Sequence, residues 1–262
     1  MRFEGMPLKV MKYGQLEVSV WPSTGDLGAA AARDFGEIVS AEIARRGEVS
    51  VILATGNSQL SFVSALRDLN GVDWSRVRVL HMDEYLGMSD EHPASFRRWM
   101  REKVVSWAKP QAFYGIRGDH ASVAEEIARY GGLVKELDPV LCVMGIGENG
   151  HLAFNDPPAD FDTDDLVKVV ELDQACRMQQ VGEGHFATLE EVPTHAITLT
   201  VRALLRPANV MVLTPEARKA RAVKDALEGP VAPSCPASIL QTTRNARLYL
   251  DRESSSMLDE MT

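Results

Sequence analysis

The residues best suited to chemistry sit in the stretch from Val143 to Asp156, V-M-G-I-G-E-N-G-H-L-A-F-N-D, where an apolar run ends in Gly145, Gly147 and Gly150 and is followed at once by His151, Asn155 and Asp156. Histidine titrates near neutrality, and a carboxylate shielded from water can take a proton from carbon, so this set suits general acid/base work. A pair of carboxylates, Asp83-Glu84, follows the apolar run V-R-V-L-H-M. Thr55-Gly56-Asn57-Ser58 joins a strand-like run to a helix-like one, the arrangement in which free helix N–H groups hold an anion. Lys219, flanked by Arg218 and Arg221, offers positive charge near another helix start. Each has a plainer reading: a structural histidine at 151, a solvated acidic turn at 83–84, ordinary helix caps at Asn57 or Ser58, a solvated basic face at 218–221. His81, His92, His120, His185 and His195 read as structural, and no second histidine stands at ligand spacing from His151, so the sequence indicates no metal site.

The elements that must position these residues alternate between strand and helix. Residues 8–20 read as a strand or hairpin, 25–46 as a long amphipathic helix, and Ser50 to Ala54 as a buried strand. Val77 to Met82 is the next strand, His92-Pro93 opens a helix carrying Phe96, Trp99 and Met100, and Ser122 with Glu125 makes a capping box for a helix through Leu137 whose last turns Gly131-Gly132 weaken. The strand into Met144 comes next, then a loop over 157–166, a strand at 167–170, and a helix followed by loop over 173–193. Ala196 to Thr200, Val210 to Leu213 and Arg247 to Leu250 are the remaining strands, with a short helical segment near 203–205. Thr214-Pro215-Glu216 reads as a helix start, with Thr as N-cap and Pro at the first helical position, and Gly229-Pro230 as its stop. The pattern implies one α/β domain over 1–262, a Rossmann-like, mostly parallel, doubly wound sheet with helices on both faces. In such sheets ligands gather beyond the carboxyl ends of the strands, where the glycine-rich stretch lies.

Composition narrows the partners. With 262 residues, 45% apolar and 25% charged, the chain is ordinary globular material. A net charge of −9 and the lack of lysine- or arginine-rich runs argue against nucleic acid. The three cysteines are widely spaced and outside any CxxC pair, which indicates neither a disulfide framework nor a zinc site and suits a reducing compartment. The amino terminus lacks an apolar signal core and no stretch approaches the roughly 20 apolar residues of a membrane helix, so a soluble, cytoplasmic protein is expected. A homo-oligomer is left open.

Taken together, the motifs resemble the glucosamine-6-phosphate deaminase family, within the wider group that includes 6-phosphogluconolactonases. The resemblance runs from about Ala54 to Leu240. M-D-E-Y-L-G at Met82 to Gly87, followed by H-P-A-S-F at His92 to Phe96, is similar to the deaminase M-D-E-Y segment and its H-P-x-S-Y/F. G-I-G-E-N-G-H-L-A-F-N-D-P at Gly145 to Pro157 is similar to the deaminase G-I/V-G-x-D/N-G-H-I-A-F-N-E-P, whereas lactonases follow Gly-His with T-A-S-L-F-P.

The resemblance implies a Rossmann-like sandwich without an organic cofactor, acting on a sugar phosphate. Asp83 would shuttle a proton between C2 and C1, His151 would assist ring opening with Asn149 orienting it, and Asp156 would complete the relay. Gly56, Asn57, Ser58 and Lys219 would hold the phosphate. Three departures stand out: Asn149 replaces a common Asp, Asp156 replaces the family Glu, and the phosphate-binding Arg expected after Asp173 is matched neither by Arg177, the nearest arginine, nor by Gln180, which occupies its register. The leading expectation is conversion of glucosamine 6-phosphate and water into fructose 6-phosphate and ammonia. A 6-phosphogluconolactonase-type hydrolase and a catalytically silent sugar-phosphate sensor are the alternatives.

Overall fold

The computed structural model describes residues 5–259; the first four residues of the amino-terminal stretch lie outside them. In chain order the strands are β1 (Lys9–Tyr13), β2 (Leu16–Trp21), β3 (Val49–Leu53), β4 (Val77–His81), β5 (Asp83–Tyr85), β6 (Ala112–Tyr114), β7 (Leu141–Met144), β8 (Val167–Glu171), β9 (His195–Leu199), β10 (Asn209–Thr214) and β11 (Ala246–Asp251). Eight of them form one sheet in the order β1-β2-β11-β10-β7-β3-β4-β6. All neighbours in it are parallel except the β1–β2 hairpin. Gly14 turns that hairpin at φ +58°, and a Cβ there would sit 2.3 Å from the Gln241 carbonyl oxygen, so the turn requires glycine.

Strand alternation builds a core on each face. Val51, Leu53, Leu141, Val143, Met211 and Leu213 point to one side, where they meet Leu27, Phe35 and Val39 of the helix Thr24–Arg46 and Phe62 and Leu66 of the helix Leu60–Asp68. Ile52, Cys142, Met144, Val210 and Val212 point to the other, against Tyr130 and Val134 of the helix Val123–Leu137 and Val223 and Ala226 of the helix Ala220–Glu228. Central strands thus carry apolar residues at every position, which is why they read as continuous runs. No helix among the described residues is long and apolar enough to cross a membrane.

Two sequence expectations change. The strands at 167–170 and 196–200 do not join the main sheet: β8 and β9 pair antiparallel with each other, and β9 with β5, in a separate three-stranded sheet. Periodicity reports which residues are buried and not which strand lies alongside. The capping box is half made, because the Ser122 hydroxyl accepts from the Glu125 N–H while the Ser122 N–H is taken by His120 Nδ1. Glu125 is thereby left out of the reciprocal bond, and the helix still runs through Gly131-Gly132 to Leu137.

Candidate active site

Reading along the sheet, the chain goes from β3 out to β4 and β6 on one side and from β7 out to β10 and β11 on the other, so the order reverses between β3 and β7. At such a switch point the loops leaving the two strands diverge and open a crevice beyond their carboxyl ends. One cavity occupies this crevice. Thr55 to Gln59 after β3, Asp83 after β4, Gly145 to Gly147 with His151 after β7, and Lys219 after β10 all line it. Of the residues singled out from sequence, Gly56, Asn57, Ser58, Asp83, His151 and Lys219 share this wall, while Asn149 and Asp156 stand behind His151.

Two turns of the same shape frame the cavity. After β3, Gly56 at φ +97° leads into a single 3-10 turn, Asn57–Gln59, that continues as the helix Leu60–Asp68. After β10, Glu216 at φ +82° leads into the 3-10 turn Ala217–Lys219 and the helix Ala220–Glu228. The helix start expected at Thr214-Pro215-Glu216 is therefore wrong: Thr214 ends β10 and Pro215 lies outside the helix. The Asp251 carboxylate, which also holds the Thr24 hydroxyl, accepts the Glu216 N–H at 3.1 Å, and Arg218 holds the Glu216 carboxylate at 2.6 Å. These tertiary contacts hold a non-glycine residue in a strained backbone region, and the bend delivers Lys219 to the cavity. Neither Asn57 nor Ser58 caps a helix; Ser58 Oγ accepts from Gln59 Nε2.

The adjacent carboxylates of β5 point opposite ways, as strand alternation requires, and play different parts. Glu84 is fully buried and accepts from the N–H groups of Tyr85, Phe96 and Arg97 and from the Ser95 hydroxyl, a carboxyl fixed at a helix start whose pKa burial raises against those four bonds. The Asp83 side chain faces the cavity, and its carboxyl has no hydrogen bond among the described residues. Burial, reinforced by the negative charge of Glu84, pushes its carboxyl up to about 8. It can therefore exchange a proton near neutral pH.

His151 approaches the backbone at Gly147 so closely that a Cβ there would fall 2.3 Å from the imidazole, which explains this glycine. Its Nδ1 lies 3.1 Å from Asp156 Oδ1, near enough to pair but poorly aligned for a hydrogen bond. Asn149 accepts the His151 N–H at Oδ1 and donates Nδ2 to both Asp156 and Asp173, each at 3.2 Å. An aspartate at 149 would instead bring a third carboxylate against two, so asparagine suits this neighbourhood. The Asp173 N–H donates to Asp156 Oδ2 at 3.2 Å. Burial alone would raise the Asp156 carboxyl, but His151, Asn149 and the Asp173 N–H outweigh it and keep the group below its ordinary value.

Lys219 does not belong to a solvated basic face, for it is only 3% exposed. It forms no hydrogen bond or ion pair among the described residues, and burial followed by the Arg218 charge lowers its pKa. Arg218 is committed to Glu148, Glu183 and Glu216, and Arg221 pairs with Asp225 at the surface. Arg177 donates to the carbonyls of Leu189 and Val192 and does not line the cavity, whereas Gln180 does, with its Oε1 accepting the Tyr85 hydroxyl at 2.7 Å.

His185, for which the sequence suggests only a structural role, lies in the cavity wall, its Nε2 3.4 Å from Glu183. Gln179, Glu183 and His185 come from the segment after Asp173 that has no clear period, and only its density of polar side chains could have marked them. Of the other histidines, His81 is wholly buried, accepts the Ile116 N–H and is held neutral by burial, with a pKa of about 3. His92 accepts the Ala94 N–H and stacks on Phe186.

Comparison with known proteins places the chain in a family and agrees with the fold. Residues 22–249 match the family described as glucosamine-6-phosphate isomerases/6-phosphogluconolactonase. A glucosamine-6-phosphate deaminase of Exiguobacterium sibiricum is 35% identical over 225 residues, 86% of this chain and 87% of that one. One from Bacillus cereus is 34% identical over 208 residues, 79% of this chain and 78% of that one. The solved structure of a monomeric glucosamine-6-phosphate deaminase superposes with a TM-score of 0.84 at 25% identity, covering 94% of this chain and all of that one. A 6-phosphogluconolactonase from Shewanella baltica shares the fold, with a TM-score of 0.75 at 17% identity over 94% of this chain and all of that one. The chain belongs to the glucosamine-6-phosphate isomerase/6-phosphogluconolactonase family.

Proposed function

We propose that the protein is a glucosamine-6-phosphate deaminase, converting glucosamine 6-phosphate and water into fructose 6-phosphate and ammonia. The observation that carries this reading is Asp83, a buried carboxyl without a hydrogen-bond partner among the described residues, whose proton is labile near neutral pH, in the same cavity as His151. Isomerisation needs a base that takes a proton from C2 and returns it at C1, which such a carboxyl suits. A lactonase needs only water activated beside a carbonyl, and the retained A-F-N segment at 153–155 also favours the deaminase.

In this reading the phosphate lies against Lys219 and the turn at Gly56, Asn57 and Ser58, where a buried ammonium without an ion pair among the described residues and the backbone N–H groups of the turn can bind an anion. His151, held by Asn149 and Asp156, passes the proton that opens the pyranose. Asp83 then moves the C2 proton to C1 through an enolamine-like state, and water adds to the resulting C2 imine and releases ammonia. Incubating the protein with glucosamine 6-phosphate and, separately, with 6-phosphogluconolactone tests the assignment. Ammonia from the first and no accelerated acid release from the second is expected; the reverse would make the protein a lactonase, and neither would support a silent sensor.

Lys219→Met separates binding from stability. Losing the ammonium should raise KM for glucosamine 6-phosphate by about tenfold or more, since charge-assisted bonds to phosphate are among the strong ones. Thermal stability should hold or rise, because an apolar side chain replaces a buried cation without an ion-pair partner among the described residues. Inorganic phosphate should raise the melting temperature of the wild type and not of the variant. An unchanged KM would place the phosphate elsewhere.

A further inference from the structure

Behind the imidazole lies a set of donors that the proposed reaction does not use together. A ring nitrogen of His151, an Asp156 carboxylate oxygen and Cys176 Sγ all lie within 4.8 Å of one another, and Nδ1 is the nitrogen that faces Asp156, 3.1 Å from its Oδ1. His151 is 8% exposed and Cys176 1%, and Nδ1 has no well-aligned hydrogen bond. Tetrahedral zinc with bonds of about 2.0 Å to nitrogen and oxygen and about 2.3 Å to sulfur holds its ligands roughly 3 to 4 Å apart, so small side-chain shifts would close this set on one ion.

We propose that His151, Asp156 and Cys176 form a binding site for a thiophilic divalent cation of the zinc or cadmium type, and that its occupation inhibits the enzyme. The outer contacts of a metal site are already built: Asn149 Nδ2 and the Asp173 N–H fix the Asp156 carboxylate, and the Asp173 carboxylate accepts the Cys176 N–H at 2.6 Å. A second cavity, lined by Asp156, Glu171 and Asp173 together with Lys168 and by Arg177, whose guanidinium is tied to carbonyl oxygens, reaches the cluster at Asp156. Water from this cavity supplies the fourth ligand.

Binding exchanges protons for the ion. The Cys176 thiol proton leaves to solvent as the metal–sulfur bond forms, and Nδ1 binds through its lone pair, so that the imidazole keeps its one proton on Nε2. His151 can then no longer pair with Asp156 as a proton carrier. The sugar pocket itself stays open, so inhibition lowers kcat with KM little changed. The inhibitory half of the proposal rests on His151 being catalytic; the binding half does not.

Cadmium titration of the purified protein, followed by the near-ultraviolet thiolate-to-metal absorption, tests the binding half. One equivalent should develop the band in wild type and in Cys235→Ala, a control because Cys235 lies beside Gly150, and not in Cys176→Ala. Absence of the band in wild type, or its survival in Cys176→Ala, would overturn the site. X-ray absorption of zinc-loaded wild type gives a check that needs no variant: one sulfur with nitrogen and oxygen supports it, and none or two overturns it. In steady-state assays zinc should lower wild-type kcat reversibly on chelation, and Cys176→Ala, compared with its own metal-free rate, should need about tenfold more zinc or beyond, the order seen when a ligand or its support is lost. Equal sensitivity, or inhibition acting on KM, would overturn the inhibitory role. If the thiolate band appears while no ammonia is released from glucosamine 6-phosphate, only the functional reading fails.

Discussion

Asp83→Asn is expected to lower kcat for glucosamine 6-phosphate by about 10²- to 10⁴-fold, with binding largely retained, because the amide keeps the size and polarity of the carboxyl but cannot accept the C2 proton. The pH profile supplies a second signature. Burial holds the Asp83 carboxyl near 8, so the base form grows as pH rises, and wild-type kcat/KM should climb along an acid limb toward that value. The residual rate of Asp83→Asn should lack this limb. Stability moves in the opposite direction: a carboxyl whose folded pKa lies above its ordinary value of 3.8 favours folding in its protonated form, a contribution intact below about 4 and lost as pH rises toward 8. The substituted amide stays neutral throughout, so the melting temperature of the variant should gain on that of the wild type as pH rises from about 4 to about 8 and hold its lead above that. Near wild-type turnover in Asp83→Asn would remove Asp83 from the chemistry.

Asp156→Glu should reduce kcat/KM on glucosamine 6-phosphate by about 10²-fold, the order expected when a catalytic group is displaced by about 1 Å. The shorter aspartate already reaches His151 at 3.1 Å, and its two oxygens are engaged by Asn149 and the Asp173 N–H. The backbone around 154–156 is tied in place: Leu152 and Asn155 bridge, Asn155 donates to the carbonyls of Leu152 and Leu199, and Phe154 N–H bonds Thr198 Oγ1. An extra methylene would push the carboxylate into His151 or Cys176. The family glutamate would thus be harmful in this chain, and loss should extend across a panel of amino-sugar phosphates. A clear gain on glucosamine 6-phosphate would show instead that the pocket is shaped for another sugar.

The site was legible in the sequence to the extent that its chemistry is local. Gly145 to Asp156 carries histidine, asparagine and aspartate in one short stretch, and the turn at 55–58 and the carboxylate at 83 each follow an apolar strand, so their place beyond strand ends followed from alternation of strand and helix alone. What required the folded chain was everything depending on long-range neighbours. Adjacent in sequence, Asp83 and Glu84 differ because one faces the cavity and the other meets four donors brought in by residues 85–97. Lys219 looks solvated beside two arginines, and becomes a buried cation only because Asp251, 35 residues past Glu216, bends the chain ahead of it. His185, Gln180 and Cys176 acquire their positions from a helix packed across the crevice, and pairing of β5 with β9 rather than with the main sheet sets where Asp83 points. Periodicity records which side of an element is buried; which other element covers it is decided by packing between residues far apart in the chain, and that information is in no single stretch of sequence.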